Sequence, residues 1–532
     1  MQRSATDGEA VKADGARRAA WLLAALGLGT LLVAVYDRAL APSRYAYSGD
    51  SASYLEMADS LRTLGRPLVT PWDVVPGDRD AVPQPLFPPA FPLLIAALTP
   101  LTGDARSASL LPGRVAAALL PLLLVALWQR TVPDPALLGL GVWVLLAPGV
   151  RQWQYIAYSD VPELALALIA LGALVRGLAP GGGSRWLVLA GLTAGLSYCV
   201  RNSGLAVLAA SGVTLAYLAF RGELKPRAAL AWAGGAAGPL AGLAAYNLAT
   251  FGRLLPYDMP PSARGWWQNT GDYAGAQLVD LGLPPPPLAP LPPVAAILVL
   301  GALLAVLAGA WWRARREPGV HRLLTLLGAY VAAGATLLVA SRSRYEWGGL
   351  IETRNTLQYS WAFGLAALIA VRRLLPPRGQ QAATVAALLV LAALAVEAVR
   401  DARAASTAPP DAWLALSADP AVIGAVRRIP ADTLIASNTA VLFRIAASRP
   451  VRQLDVSGGD RDLGGSLVLL RAAAGPRPAA FLLVCNEWTQ GFSACGAGGD
   501  GDAPACERLS AGPPIAALCR TEVRGPAAPG RG

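Results

Sequence analysis

Residues 86–103 read LFPPAFPLLIAALTPLTG, an apolar stretch of nearly membrane-spanning length that contains Pro88, Pro89, Pro92 and Pro100. Whether it crosses a bilayer decides the fold, because one crossing more or less inverts the side of every later segment. Proline lacks the backbone donor of a helix interior and clashes with the preceding turn. The stretch therefore reads as a re-entrant or interfacial segment and not as a span.

The surrounding chain has 532 residues, 54% of them hydrophobic and 15% charged, with a mean hydropathy of +0.44. That composition is too apolar for a soluble multidomain protein and indicates a polytopic α-helical membrane protein. Eleven other apolar runs approach the length that crosses about 30 Å of hydrocarbon. They lie at roughly 20–36, 112–129, 136–150, 161–175, 186–200, 204–220, 229–249, 293–312, 323–340, 356–371 and 381–398. About eleven transmembrane helices are expected.

Sidedness follows from the basic residues, which concentrate in cytoplasmic loops. With eleven spans and an inner N-terminus, the six inner segments hold 17 Lys/Arg, against 7 in the outer segments 150–160, 201–203, 250–292 and 341–355. Counting 86–103 as a span would put the RARRE and RRLLPPR loops outside. The net charge of +11 is thus explained by topology, which removes the case for a nucleic-acid partner. An ALA at 39–41 resembles a leader cleavage site, but the charged tail and apolar core are long for a signal peptide. An uncleaved first helix is expected.

The resulting organisation is a cytoplasmic tail (1–19), a transmembrane domain (20–400) with outer loops at 37–111 and 250–292, and an extracytoplasmic tail (401–532). The second loop ends in the proline-rich LGLPPPPLAPLPP. The tail alternates short apolar runs (TLIAS, FLLVC, IAALC) with the helix-like TAVLFRIAAS, as a small α/β domain does. It also carries Cys485, Cys495, Cys506 and Cys519, which an oxidising compartment would join as disulfides. A zinc site is disfavoured by the lack of CxxC spacing and by a single histidine, His321, on the inner side.

Chemistry-bearing residues gather on the outer side. In YSGDSASYLEMA, Tyr54, Met57, Ala58 and Leu61 follow amphipathic helical spacing, which puts Asp50 at or just before the first turn. In YIAYSDVPELAL, Asp160 and Glu163 stand one turn apart on one helix face. Either acid could serve only as a helix-start group. Arginines recur on the same side: Arg114, Arg201, Arg342, Arg344 and Arg354. Each suits an interface anchor, and together they suit a cradle for an anionic headgroup. Trp266 and Trp267 fit an interfacial belt or a sugar-stacking surface. No predicted span carries a charge near its middle, which argues against the alternative class, a lipid or solute transporter.

In order, Asp50-x-x-x-Tyr54, FPPAFPLLIAAL, Arg114, SDVPE, YCVRNSG and NLATFGRLLP resemble the GT-C superfamily of integral-membrane glycosyltransferases. The likeness is nearest to bacterial protein mannosyltransferases and lipid A aminoarabinose transferases, and covers roughly residues 20–400. It implies a bacterial inner-membrane enzyme that uses a polyprenyl-phosphate sugar donor and a glycan, lipid or protein acceptor, with membrane lipids around it. It implies catalytic roles for Asp50 and Asp160, less firmly Glu163, and donor contacts by Arg201 and Arg354, with Arg114 and Tyr54 as further candidates. Two departures stand out. Ser51 follows Asp50 where many members have an Asp-Glu pair, and Phe87 precedes Pro-Pro where they have His or Lys. A divalent ion held by Asp160 would need carboxylate and water ligands, favouring magnesium or manganese over zinc.

Overall fold

The computed structural model describes residues 3–40, 49–71, 74, 81–129, 132–257, 259–283, 291–346, 350–407, 416, 419–447, 449–454, 463–484, 506–509 and 516–521. The chain divides into two compact units. One comprises Met1–Ala39 with Pro85–Ala404, and the other Leu40–Gln84 with Ala405–Gly532. The linear reading assigned all of 37–111 to the membrane domain. The units instead group residues 40–84 with the tail, to which Glu56 and the carbonyls of Thr70 and Pro71 are joined through Arg444.

The first unit is helical: α1 (Arg3–Leu40), α3 (Ala90–Thr102), α4 (Ala105–Trp128), α5 (Asp134–Leu146), α6 (Pro148–Trp153), α7 (Asp160–Leu178), α8 (Ser184–Val200), α9 (Leu205–Phe220), α10 (Pro226–Phe251), α11 (Trp266–Asp280), α12 (Pro293–Arg313), α13 (Pro318–Arg344), α14 (Thr353–Leu374) and α15 (Pro377–Thr407). Helix α2 (Gly49–Leu64) belongs to the second unit.

Ten of the eleven apolar runs match a single helix to within a residue, while 136–150 is broken at Ala147 between α5 and α6; eight of the described helices, not eleven, are both long and apolar enough to cross a membrane. The other three fail for different reasons. Helix α5 has 13 residues and α8 has 17, whereas the 22-residue α14 is diluted by Asn355, Thr356, Gln358 and Ser360, all buried. The protein is a multi-pass membrane protein. Helix α3, within the decisive stretch, has 13 residues. At 1.5 Å per residue it spans about 20 Å, short of the hydrocarbon thickness.

Local chemistry sets the ends of these helices. Asp104 accepts hydrogen bonds from the backbone N–H and hydroxyl of Ser107, capping α4. Where α8 meets α10, backbones approach so closely that a Cβ on Gly191 would lie 1.9 Å from the Trp232 carbonyl, and one on Gly235 2.2 Å from that of Val188. Small residues allow such contacts between membrane helices. Helix α7 packs against α4, α8 and α14. Its buried neighbourhood includes an aromatic cluster of Trp128, Trp361, Tyr330 and Tyr359.

The second unit contains α2, the antiparallel pair β1 (Leu68–Val69) and β2 (Val82–Pro83), and a five-stranded sheet in the order β4-β3-β5-β7-β6. Its strands are β3 (Leu434–Ser437), β4 (Arg452–Gln453), β5 (Ala479–Val484), β6 (Cys506–Arg508) and β7 (Ala516–Thr521). Strand β3 runs parallel to β4 and β5, while β7 is antiparallel to both β5 and β6. Strand β5 is buried throughout. Ala480, Leu482 and Val484 join one hydrophobic core, and Ala479, Phe481 and Leu483 the other. That division is the two-residue alternation of a strand covered on both faces, and it makes the tail the small α/β domain expected. Cys519 is disulfide-bonded. Cys485, Cys495 and most of the proline ramp lie outside the described residues.

Candidate active site

Helix α7 opens on Asp160, with Glu163 one turn later, and both are fully buried. The spacing that put them on one face is answered by α8 and its exit. The Arg201 guanidinium donates to Asp160 at 2.8 Å, and Ser197 donates to Glu163 at 2.8 Å. Arg201 is extended, between the end of α8 and the short 3₁₀ turn Asn202–Gly204, so its side chain meets the start of α7. Tyr330 and Tyr359 lie buried within electrostatic reach of Glu163.

A second guanidinium lies over the aromatic residues that precede Asp160 in the chain. Arg354, in the first turn of α14, lies 5.2 Å from the ring of Tyr158 and 5.7 Å from that of Trp153. Trp153 and Tyr158 contact one another at 5.4 Å, and the Trp153 indole donates to Thr353 at 3.3 Å. Tyr158 stands two residues before Asp160, so one short segment presents both the arginine platform and the acid that holds Arg201.

The other sequence candidates have different surroundings. Arg114 pairs with Asp37 at 2.8 Å, both about one-third exposed. Arg342 is buried and reaches Ser262 and Glu346, while Arg344 lies over Tyr345. Trp266 and Trp267 are exposed. In the second unit, α2 starts at Gly49, placing Asp50 in the first turn, half-buried, and Tyr54 buried one turn on.

Several residues that serve this arrangement gave no sequence signal. Asp280, at the end of α11, is fully buried and accepts from the Gly149 backbone N–H at 2.8 Å and the Thr356 hydroxyl at 2.7 Å. It thereby ties α6, which ends on Trp153, to α14, which carries Arg354. Burial pushes its pKa up to about 8, against two hydrogen bonds that favour the charged form. Gly149 is required there, since a Cβ would lie 2.6 Å from the Asp280 carboxylate. Arg151 is buried between Glu397 and Asp401. Asn202 donates to the Leu86 carbonyl at 2.9 Å and accepts from Tyr257, fixing the proline-rich stretch to the turn that carries Arg201.

Asp160 already faces a guanidinium and Glu163 a hydroxyl donor, and the described residues contain no group of three or more His, Cys, Asp or Glu that could hold an ion.

No family model and no curated protein matches the chain. Solved structures do. The ArnT structure from Cupriavidus metallidurans bound to undecaprenyl phosphate is 14% identical, with a TM-score of 0.56, over 94% of this chain and 98% of that one. Its apo form gives a TM-score of 0.58 at 15% identity, over 93% and 98%. At these identities the likeness shows a shared fold. A further similar structure is the Archaeoglobus fulgidus oligosaccharyltransferase AglB in complex with an inhibitory peptide and a dolichol-phosphate. It is 12% identical, with a TM-score of 0.52, over 87% of this chain and 69% of that one. Another structure of that enzyme is a complex with Zn and sulfate, at 12% identity and a TM-score of 0.53, over 86% of this chain and 68% of that one.

Proposed function

We propose that this protein transfers a sugar from a polyprenyl-phosphate carrier to the hydroxyl of a glycan, lipid or protein acceptor, on the extracytoplasmic side of a bacterial inner membrane. The observation that carries the reading is the pairing of Arg201 with the buried Asp160, together with the Arg354 platform built on the segment that leads into Asp160, in a fold whose solved ArnT example holds undecaprenyl phosphate.

In this mechanism the donor is a phosphodiester with one negative charge, and the product polyprenyl phosphate is a monoester with up to two. The anomeric C–O bond to phosphate breaks as the acceptor oxygen attacks from the opposite face. The phosphate departs with the bonding electrons. Arg201, aimed by Asp160, and Arg354, aimed by its two rings, stabilise the charge that develops there. Asp50 takes the acceptor proton as general base. The leaving group needs no protonation, so one base suffices. Direct displacement inverts the anomeric carbon. Proton NMR of the transferred sugar tests this: a single product of opposite anomeric configuration is expected, and retained configuration would exclude the one-step mechanism.

A further inference from the structure

Helix α2 ends in a turn that leads to β1, and hydrogen bonds close that corner. The Ser60 hydroxyl accepts from the Leu68 backbone N–H at 2.7 Å, and Glu56 accepts from the Thr70 N–H at 2.8 Å. Arg444, on the helix Ala440–Ala447, completes the arrangement from the far end of the sequence. Its guanidinium donates to the carbonyls of Thr70 at 3.3 Å and Pro71 at 2.7 Å and to that of Val451, and its Nε lies 3.7 Å from the Glu56 carboxylate. The residue is 4% exposed.

A buried guanidinium is costly unless its donors are satisfied. Here they are spent on carbonyls about 370 residues away in sequence and on an acid six positions after Asp50. An apolar side chain would fill the space. It would not fix the direction of the chain leaving α2 or the rotation of the helix about its axis, both of which the forked donor sets.

We infer that Arg444 is a positioning residue, which acts through Glu56 and the 70–71 carbonyls to hold the α2 helix that carries Asp50. The inference rests on the general-base reading of Asp50. It gives the C-terminal domain a task in the reaction, since misplacement of a reacting group by about 1 Å can cost about 100-fold in rate.

Full-length Arg444→Gln and Arg444→Lys are compared with the parent for donor kcat and KM, and for amide exchange in α2 and β5. Arg444→Gln is expected to lower kcat about tenfold or more, to leave donor KM within about twofold, and to speed exchange over residues 51–58 while β5 stays protected. Arg444→Lys, which keeps charge but not the fork, should fall between. Parent kcat in folded Arg444→Gln overturns the proposal, as does equal loss of protection in α2 and β5, which would make Arg444 a general fold determinant. An Asp50→Asn control separates the two readings: full activity there refutes the base assignment, while the exchange pattern still judges the hold on α2.

Discussion

Two helices of this chain open on an aspartate, and their settings differ. In α7, Asp160 is completely buried and matched by Arg201, with Glu163 matched by Ser197. In α2, Asp50 sits half-buried in the first turn. Both carboxylates gain from the positive end of a helix. A fully buried carboxylate that stays ionised needs compensation from a fixed partner such as a cation, whereas a partly solvated one has water. A carboxylate held by a guanidinium is a poor proton acceptor and a good fixed point. The comparison therefore supports orientation as the role of Asp160 and proton abstraction as that of Asp50.

The largest expected effect breaks the comparison at α2. Asn serves a helix start about as well as Asp, so a purely structural Asp50 predicts that Asp50→Asn is harmless. As base, its loss should lower turnover by about 10²–10⁴-fold with thermal unfolding unchanged. Near-parent turnover would return Asp50 to a structural role.

At α7 the expected effect falls on stability as well as activity. Arg201→Ala leaves Asp160 buried without its cation and should destabilise the protein by about 3–5 kcal/mol. The double variant Arg201→Ala/Asp160→Asn should recover much of that stability while donor use stays impaired. If the double variant also regains activity, Arg201 serves Asp160 alone and not the donor.

The smallest effect concerns a third acid. Asp280 is as buried as Asp160 but meets only neutral donors, and its pKa is pushed up to about 8, above the unfolded value of about 4. Between those values the folded chain retains a proton that the unfolded chain has released. Its stabilising contribution is therefore full below about pH 4 and declines as pH rises toward 8. Unfolding followed against pH should show that decline in the parent and a flatter curve in Asp280→Asn. Superimposable curves would contradict the assignment.

Much of this was legible in the sequence, and the reasons are physical. Apolar runs report helices directly, the i, i+3 spacing of Asp160 and Glu163 reports a shared face, and alternating short runs in the tail report a sheet. The span count was less legible, because buried polar residues such as Gln358 and Ser360 lower the apolarity of a helix without preventing it. Asp280, Arg151 and Arg444 were silent, since their partners lie far away in sequence, 131 residues in the case of Asp280 and Gly149. A lone polar residue in an apolar context has no local pattern that names its partner. The division of the first loop between units was hidden for the same reason, resting as it does on contacts such as those between Arg444 and residues 70–71.

The central claim is that this chain cleaves the bond between a sugar and its lipid phosphate. The most direct measurement incubates the purified protein in sealed liposomes with a panel of polyprenyl-phosphate sugars and acceptors, and follows both free polyprenyl phosphate and solute entry. Release of polyprenyl phosphate matched one-to-one by glycosylated acceptor is the predicted result. Solute entry without any release, across the whole panel, would contradict the account and identify a transporter.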